Sequence, residues 1–345
     1  MSVTPRGQLL VRGSVNIDEF FVVEHIVRSG ETISSTDYSR RAGGKGANQA
    51  VSAAKAGAVV ELAATIGNDG IWLKDTLASY GVSQSFLSLD ESVPTGRAII
   101  QLSTATADNS IVLLPGSNFS SSPSPLSTLT QEQLGSTFSH LLVQNEIPLE
   151  STKQALRDAH AAGLSTIFNP SPMLTVEQLE AFEWENLDWL LINEGEGQDL
   201  LAALSPTTTF GIETTSEEIL SKLRETKLAG LTGIIMTRGA DGVIASLKGG
   251  EIVSAGAGKV EGGVKDTTGA GDCFTGYFAT LLSTLPTHSP LTSVKLRPIL
   301  EIACQAAAIC VEKHGAMESV PSLKEVKERM GSKWVEGREW DVLLQ

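Results

Sequence analysis

Through most of the chain, short apolar runs alternate with stretches whose apolar residues recur every three to four positions. The run "VVELAATIG" (59–67) reads as a strand, and "GIWLKDTLASYG" (70–81) as the helix after it, closed by a glycine. The same couplet recurs in "SHLLVQNEIP" with "LESTKQALRDAHAAG", in "LSTIFNPSP" with "TVEQLEAF", and within "LDWLLINEGEGQDLLAAL". Strand then helix, repeated, predicts an α/β protein of stacked βαβ units on a parallel sheet. "TGIIMTRGADGVIASL" adds a strand and a hairpin.

Two regions break this rhythm. Residues 10–40 and 94–116 carry alternating or β-branched runs ("RAIIQLS", "SIVLLPGS") with no helix between them, which predicts a small antiparallel element beside the main sheet. "GSNFSSSPSPLSTLT" and "SPTTTFGIETTSEE" have the composition of surface loops, too short to link independent domains. The tail "LKEVKERMGSKWVEGREWDVLLQ" reads as an amphipathic packing helix with a loose end.

Composition narrows the class. At 345 residues, 41% hydrophobic and 19% charged, the chain can bury a substantial core as one large domain or two modest ones. A net charge of −14 argues against nucleic acid or an anionic membrane as partner, since either is repelled at long range, while a small anion can still bind locally. Cys273, Cys304 and Cys310 form no C-x-x-C pair and leave an odd thiol, so no disulfide framework or zinc knuckle is predicted. No stretch approaches the roughly 18 apolar residues of a membrane span, and the N-terminus lacks a basic flank before an apolar core. The expected location is the cytoplasm.

In an open α/β sheet, ligands bind beyond the carboxyl ends of the strands. Polar residues gather there: Glu146 after "LLVQ", Asn169 after "TIF", Asn193 after "LLI" with Glu196 a turn later, and Thr237 and Gly239 in "IIMTRG". Any one of them alone fits a turn former. "RAGGKGANQAVSAAKAG" (41–57) sets flexible backbone, a lysine and an asparagine at the start of an Ala-rich helix. It is not a Walker A loop, and "AGAGKVEGG" is not a dinucleotide fingerprint.

"KDTTGAGDCFTGYF" (265–278) poses a sharper question. Its apolar residues Phe274, Phe278, Leu281 and Leu282 recur at helical spacing, so "TTGAGD" is a helix N-terminus whose free N–H groups, at Ala270, Gly271 and Asp272, favour negative charge. A carboxylate in that turn repels an anion unless it has another task. Asp272 as a plain N-cap is the alternative.

With "GSVNID" (13–18), "AGGKGANQAV" (42–51), "INEGE" (192–196) and "DTTGAGDCFTG" (266–276) in order, the chain resembles the ribokinases within the phosphofructokinase-B-type family of sugar kinases, from about residue 9 to 322. The resemblance implies one kinase domain over 1–345. Its fold is a three-layer, Rossmann-like α/β/α arrangement with a β-sheet lid, from about 15–42 and 94–116, that also forms a homodimer contact. It implies ATP-dependent phosphorylation of D-ribose at the 5-hydroxyl. Asp272 is the general base, and Gly269, Ala270 and Gly271 form the anion hole. The sugar site is Asn16, Asp18, Gly44, Lys45, Asn48, Glu146 and Asp272 itself. For ATP the matching positions are Asn193, Thr237, Gly239 and Gly242, joined by Gly271, Asp272 and Cys304, which stands where Asn or His is common. Glu196 matches the residue that organises Mg²⁺ through water. Asp266, Thr268, Cys310, Lys313, Gly315 and Ser319 match a loop that binds K⁺, mostly through backbone carbonyls.

Smaller departures are Ser29, Glu318 in place of a common proline, His314, and Arg238, which reads as a strand-end charge or as a contact to nucleotide phosphates. The five histidines show no metal spacing, and the sequon at Asn118 has no use in a cytosolic chain. Other sugars or nucleosides (fructose, deoxyribose, adenosine) are the alternative substrates, and a non-catalytic binding regulator is the alternative from another class.

Overall fold

The couplets fold as their pattern predicts. The computed structural model describes residues 8–106, 108–120, 126–205, 214–285, 291–334 and 341. From one edge to the other, its large sheet runs Ile252–Ala255, Val243–Leu247, Gly233–Thr237, Trp189–Asn193, Ser165–Asn169, His140–Gln144, Gln8–Arg12, Val59–Ile66 and Val82–Ser83, with Leu87–Leu89 also paired to Val59–Ile66. Neighbours are parallel from Gly233–Thr237 onward and antiparallel in the hairpin that leads to Ile252–Ala255.

The central strands are apolar on both faces because both are covered. Leu9, Val11, Leu62, Leu142 and Ile167 belong to one core, together with Ala47, Phe274 and Ile302 of the helices Lys45–Lys55, Ala270–Ser283 and Ser293–Cys310. Leu10, Ala63, Leu141, Val143 and Phe168 belong to the other, with Leu156, Leu200 and Leu220 of Leu149–Ala161, Glu194–Leu204 and Ser216–Leu223. Three layers result. Among the described residues no helix is long and apolar enough to cross a membrane.

The second sheet has four strands, in the order Asp37–Gly43, Asn16–Val23, Gly96–Ser103, Asn109–Leu114. It corrects the expectation of an antiparallel element, because its outer pairs are antiparallel and its central pair is parallel. After Asp37–Gly43 the chain passes through Lys45–Lys55 and Val59–Ile66 before it returns, so Gly96 re-enters beside Asn16 and runs in the same direction. Residues 10–12, expected in the small element, lie in the large sheet.

Of the expected loops, 121–125 and 206–213 lie outside the described residues, as do 335–340 and 342–345 of the tail. The end of the second loop is helical instead: Ser216–Leu223 begins at a capping box in which Thr215 Oγ1 accepts from the Glu218 N–H. Leu323–Met330 is the tail helix.

One helix contact positions the chemistry. Lys45–Lys55 lies against Ala270–Ser283, joined by Ser52 Oγ donating to the Cys273 carbonyl at 2.8 Å and Thr280 Oγ1 donating to that of Ala53 at 3.2 Å. A Cβ on Gly276 would stand 2.5 Å from Ser52 Cβ and 2.6 Å from the Gln49 carbonyl oxygen, so the close approach requires glycine. Gly276→Ala is expected to lower stability by about 1–3 kcal/mol and to slow turnover by shifting Asn48 and Gln49 off Asp272. Paired melting curves and steady-state rates check this.

Candidate active site

Helix Ala270–Ser283 starts from Gly269, whose φ of 76° is left-handed and whose Cβ, if it had one, would lie 2.8 Å from Ala316 Cα. Asp272 is thus the third residue of the helix and not its cap. Its carboxylate accepts from two side-chain amides, Asn48 Nδ2 at 3.0 Å and Gln49 Nε2 at 2.9 Å. The Ala270 N–H reaches only the Thr267 carbonyl, at 3.3 Å, and Cys273 N–H bonds Gly269. Among the described residues the N–H groups of Gly271 and Asp272 donate to nothing. A buried carboxylate and free backbone donors therefore share one turn.

Behind Asp272 stands an amide relay absent from the sequence-based site. Gln49 Nε2 also donates to Asn169 Oδ1 at 3.0 Å, and Gln49 Oε1 accepts from Gln144 Nε2 at 2.7 Å. The relay fixes which oxygen each donor holds. Asn48 Oδ1 is a buried acceptor with no partner among the described residues.

The residues expected to bind sugar come together where the lid meets the glycine loop. Asn16 Oδ1 accepts from Asn118 Nδ2 at 2.7 Å, and Asn118 Oδ1 accepts from the Val15 N–H at 2.9 Å. The sequon residue is thus a buried strut. The Asp18 carboxylate packs onto Gly43 so closely that any Cβ there would overlap it. Burial first, then Glu146, Asp272 and Glu318, push the Asp18 carboxyl up to about 7.

Glu146 Oε2 accepts from Ser14 Oγ at 2.6 Å and from the Lys45 N–H at 2.9 Å, so it caps Lys45–Lys55 from the bend that follows His140–Gln144. Its Oε1 has no partner among the described residues. Gly44, with φ 90°, is the helix N-cap. The Lys45 ammonium is held above its ordinary range by Asp272 foremost, then Glu146 and Glu196, against its own burial.

Two adjoining cavities extend away from Asp272. One, of about 180 Å³, is lined by Lys45, Asn169, Asn193, Glu196, Gly269 and Asp272 among others. The other, of about 350 Å³, is lined by Gly239, Gly242, Val260, Val264, Cys304 and Ala308 among others, and both touch Thr237 and Gly271. Sequence reasoning found the polar ends of this pair and missed the apolar walls, which carry no motif.

Glu196 Oε2 accepts from the Asn193 N–H at 2.8 Å, and burial lifts its carboxyl above the ordinary range. Burial pushes the Cys304 thiol up to about 12, so it stays neutral. Arg238 lines neither cavity. Its Nη2 turns back to the Asp241 carbonyl at 3.1 Å, and its Nε is buried with no hydrogen-bond partner among the described residues.

The residues expected at a monovalent cation also converge. Asp266 Oδ1 accepts from the Thr268 N–H at 2.9 Å and Oδ2 from the Gly315 N–H at 3.0 Å, tying the two turns together. Those backbone bonds hold the Asp266 carboxyl below its ordinary range despite its burial. Cys310 Sγ lies 2.9 Å from Ser319 Oγ, which donates to the Ala316 carbonyl. The Lys313 side chain points away, to Glu325 at 3.3 Å, while its N–H bonds the Cys310 carbonyl.

Comparison with known proteins shows the family. Residues 6–323 match the family described as pfkB family carbohydrate kinase, and the chain belongs to that family. Ribokinases are among the relatives it resembles, beside a deoxyribokinase of Salmonella typhi that is 28% identical over 323 residues, covering 93% of this chain and 97% of its own. The ribokinase of Haemophilus influenzae is 33% identical over 331 residues, covering 94% of this chain and 98% of its own. That of Schizosaccharomyces pombe is 32% identical over 327 residues, covering 92% and 96%. Among solved structures, ribokinase from Cryptococcus neoformans var. grubii in complex with ADP is similar with a TM-score of 0.80 at 46% identity, covering 94% of this chain and 99% of that one. Arabidopsis thaliana ribokinase complexed with ribose and ATP gives a TM-score of 0.78 at 28% identity, with the same coverage.

Proposed function

We propose that the protein transfers the γ-phosphoryl group of ATP to the 5-hydroxyl of D-ribose, giving ADP and D-ribose 5-phosphate. The observation that carries this reading is Asp272, fixed by Asn48 and Gln49, at the seam between a polar pocket suited to hydroxyls and a turn of free N–H groups. The ADP bound in the Cryptococcus structure and the ribose and ATP in the Arabidopsis one support it.

In this mechanism Asn16, Asp18, Asn48 and Glu146, with the Gly44–Lys45 backbone, pair the hydroxyls of the sugar. A lost pair leaves a buried polar group, at about 1–3 kcal/mol each. Asp272 takes the proton of the primary alcohol as its oxygen bonds to the γ-phosphorus and the bond to the β-bridging oxygen breaks. Lys45 and the free N–H groups of Gly271 and Asp272 face the transferring phosphoryl oxygens, while the N–H of Ala270, expected among these donors, is turned to the Thr267 carbonyl. The adenine takes the apolar cavity beside Gly239, Gly242 and Cys304, with Thr237 where the two cavities meet and Asn193 on the phosphate side.

Glu196 suits Mg²⁺ held through water, because one oxygen is tied to Asn193 and its carboxylate borders the phosphate cavity. When bound, the ion neutralises phosphate charge. The Asp266 turn, with carbonyls from Thr268, Cys310, Lys313, Gly315 and Ser319, suits K⁺. Gly269 packs on Ala316, so the cation turn and the anion turn are in contact. Replacing K⁺ by a bulky organic cation is expected to reduce kcat at least about fivefold with little change in KM for ribose, since positioning errors at the reacting centre fall on turnover. Rates with and without K⁺ at constant ionic strength check it.

The lid edge strand Asn109–Leu114 exposes Ile111, Val112, Leu113 and Leu114 in succession, which supports a homodimer formed through this sheet. A substrate panel tests the assignment: ADP release with ribose is expected to exceed that with fructose, deoxyribose or adenosine. Faster release with any of those reassigns the substrate.

A further inference from the structure

Residues 256–264 have no regular secondary structure, yet Gly258, Val260 and Val264 form a wall of the apolar cavity. Val260 and Val264 are 38% and 64% exposed, so they are not buried in either core. A segment without a ladder must satisfy its backbone groups by other means. Three side chains do so here. Gln305, on Ser293–Cys310, accepts from the Lys259 N–H with Oε1 and donates to the Lys259 carbonyl with Nε2, both at 3.0 Å. Glu312, just past that helix, accepts from the Glu261 N–H at 2.5 Å. Arg329, on Leu323–Met330, grips both Glu312 oxygens at 2.9 and 3.1 Å and reaches the Lys259 carbonyl at 3.3 Å. Its Nε also lies 3.3 Å from Glu261 Oε2. A Cβ on Gly258 would come 2.5 Å from Gln305 Cα, so the segment lies flush on the helix.

We propose that Gln305, Glu312 and Arg329 are positioning residues for the nucleotide, holding 256–264 as a preformed wall for its base. Binding then needs no ordering of that segment, and affinity gains accordingly. None of the three touches the reacting atoms. Arg329 holds the Glu312 carboxyl down at about 2, so the clamp stays charged across the range in which enzymes are assayed. The inference rests on the apolar cavity being the nucleotide site.

The test uses the full chain with Arg329→Met and, independently, Gln305→Met, titrated with a fluorescent ATP analogue in the absence of sugar. Each variant is expected to weaken binding about tenfold and to raise KM for ATP alike, with kcat at saturating ATP and KM for ribose unchanged. Arg329→Lys, which keeps the charge and loses the two-pronged grip, is expected to fall between. If the variants bind the analogue within twofold of wild type while melting earlier, the network serves stability alone and the proposal fails. If either variant does not fold, the other decides. Wild type that does not bind the analogue would instead overturn the nucleotide site, and this inference with it.

Discussion

Asp272→Asn is expected to lower kcat by about 10²–10⁴-fold while leaving ATP binding and KM for ribose within a few-fold of wild type. The substitution keeps the shape and removes the basicity. It also turns an amide toward Asn48 and Gln49, which in the native protein both donate to the carboxylate, so one of those bonds is lost. The backbone donors of the turn do not depend on the side chain, hence the residual rate expected from positioning and electrostatics alone. Steady-state ADP release is the measurement, with a melting curve to show that the fold survives. A variant that turns over near the wild-type rate removes Asp272 from the role of base.

The second large effect concerns Asp18, where function and stability pull apart. Its carboxyl ionises near 7 in the folded protein, raised by burial and by Glu146, Asp272 and Glu318. In the unfolded chain an aspartate ionises at about 3.9. Between those values the folded state holds a proton that the unfolded state has released. The associated stability is therefore full below pH 4 and is lost as pH rises through 7.

Asp18→Asn removes that loss, so the variant is expected to melt about 2 °C or more above wild type at pH 8 and close to it at pH 4. The same variant is expected to raise KM for ribose about 10²-fold, because a hydroxyl that the carboxylate accepted is left against an amide. For wild type, KM for ribose is expected to climb as pH falls below 7 and the acceptor is protonated. Melting at pH 4 and 8 and kinetics at pH 5 and 8 check both halves. An Asn variant less stable than wild type at pH 8 contradicts the strained, ionised carboxylate.

Much of this was legible in the chain before any coordinates. Strand ends marked by Asn169, Asn193 and Thr237 are strand ends in the structure, and the lid strands fall where β-branched runs lack a helix. Asp272, Asn48 and Lys45 sit in glycine-rich helix starts, and such starts leave a sequence trace because backbone must approach backbone. The amide relay left none. Gln49 and Gln144 are polar residues at wholly buried positions, and only tertiary contacts show that their neighbours are Asn169 and Asp272. Asn118 stands in a stretch with the composition of a surface loop, and nothing local tells that it is buried against Asn16 and Val15. The parallel pair at the centre of the small sheet depends on where the chain re-enters, which periodicity does not encode. Arg238 turns back on its own loop, to the Asp241 carbonyl, a choice of rotamer rather than of residue.

In the proposed mechanism one turn holds both the base for a primary hydroxyl and the donors for the phosphoryl group. The most direct test is the ³¹P NMR spectrum of the product formed from D-ribose and ATP. Transfer to the 5-hydroxyl predicts a phosphomonoester signal split into a triplet by the two C5 protons, appearing in step with ADP. A doublet, from phosphate on the anomeric carbon, or the absence of any phosphomonoester above the sugar-free control, would contradict it.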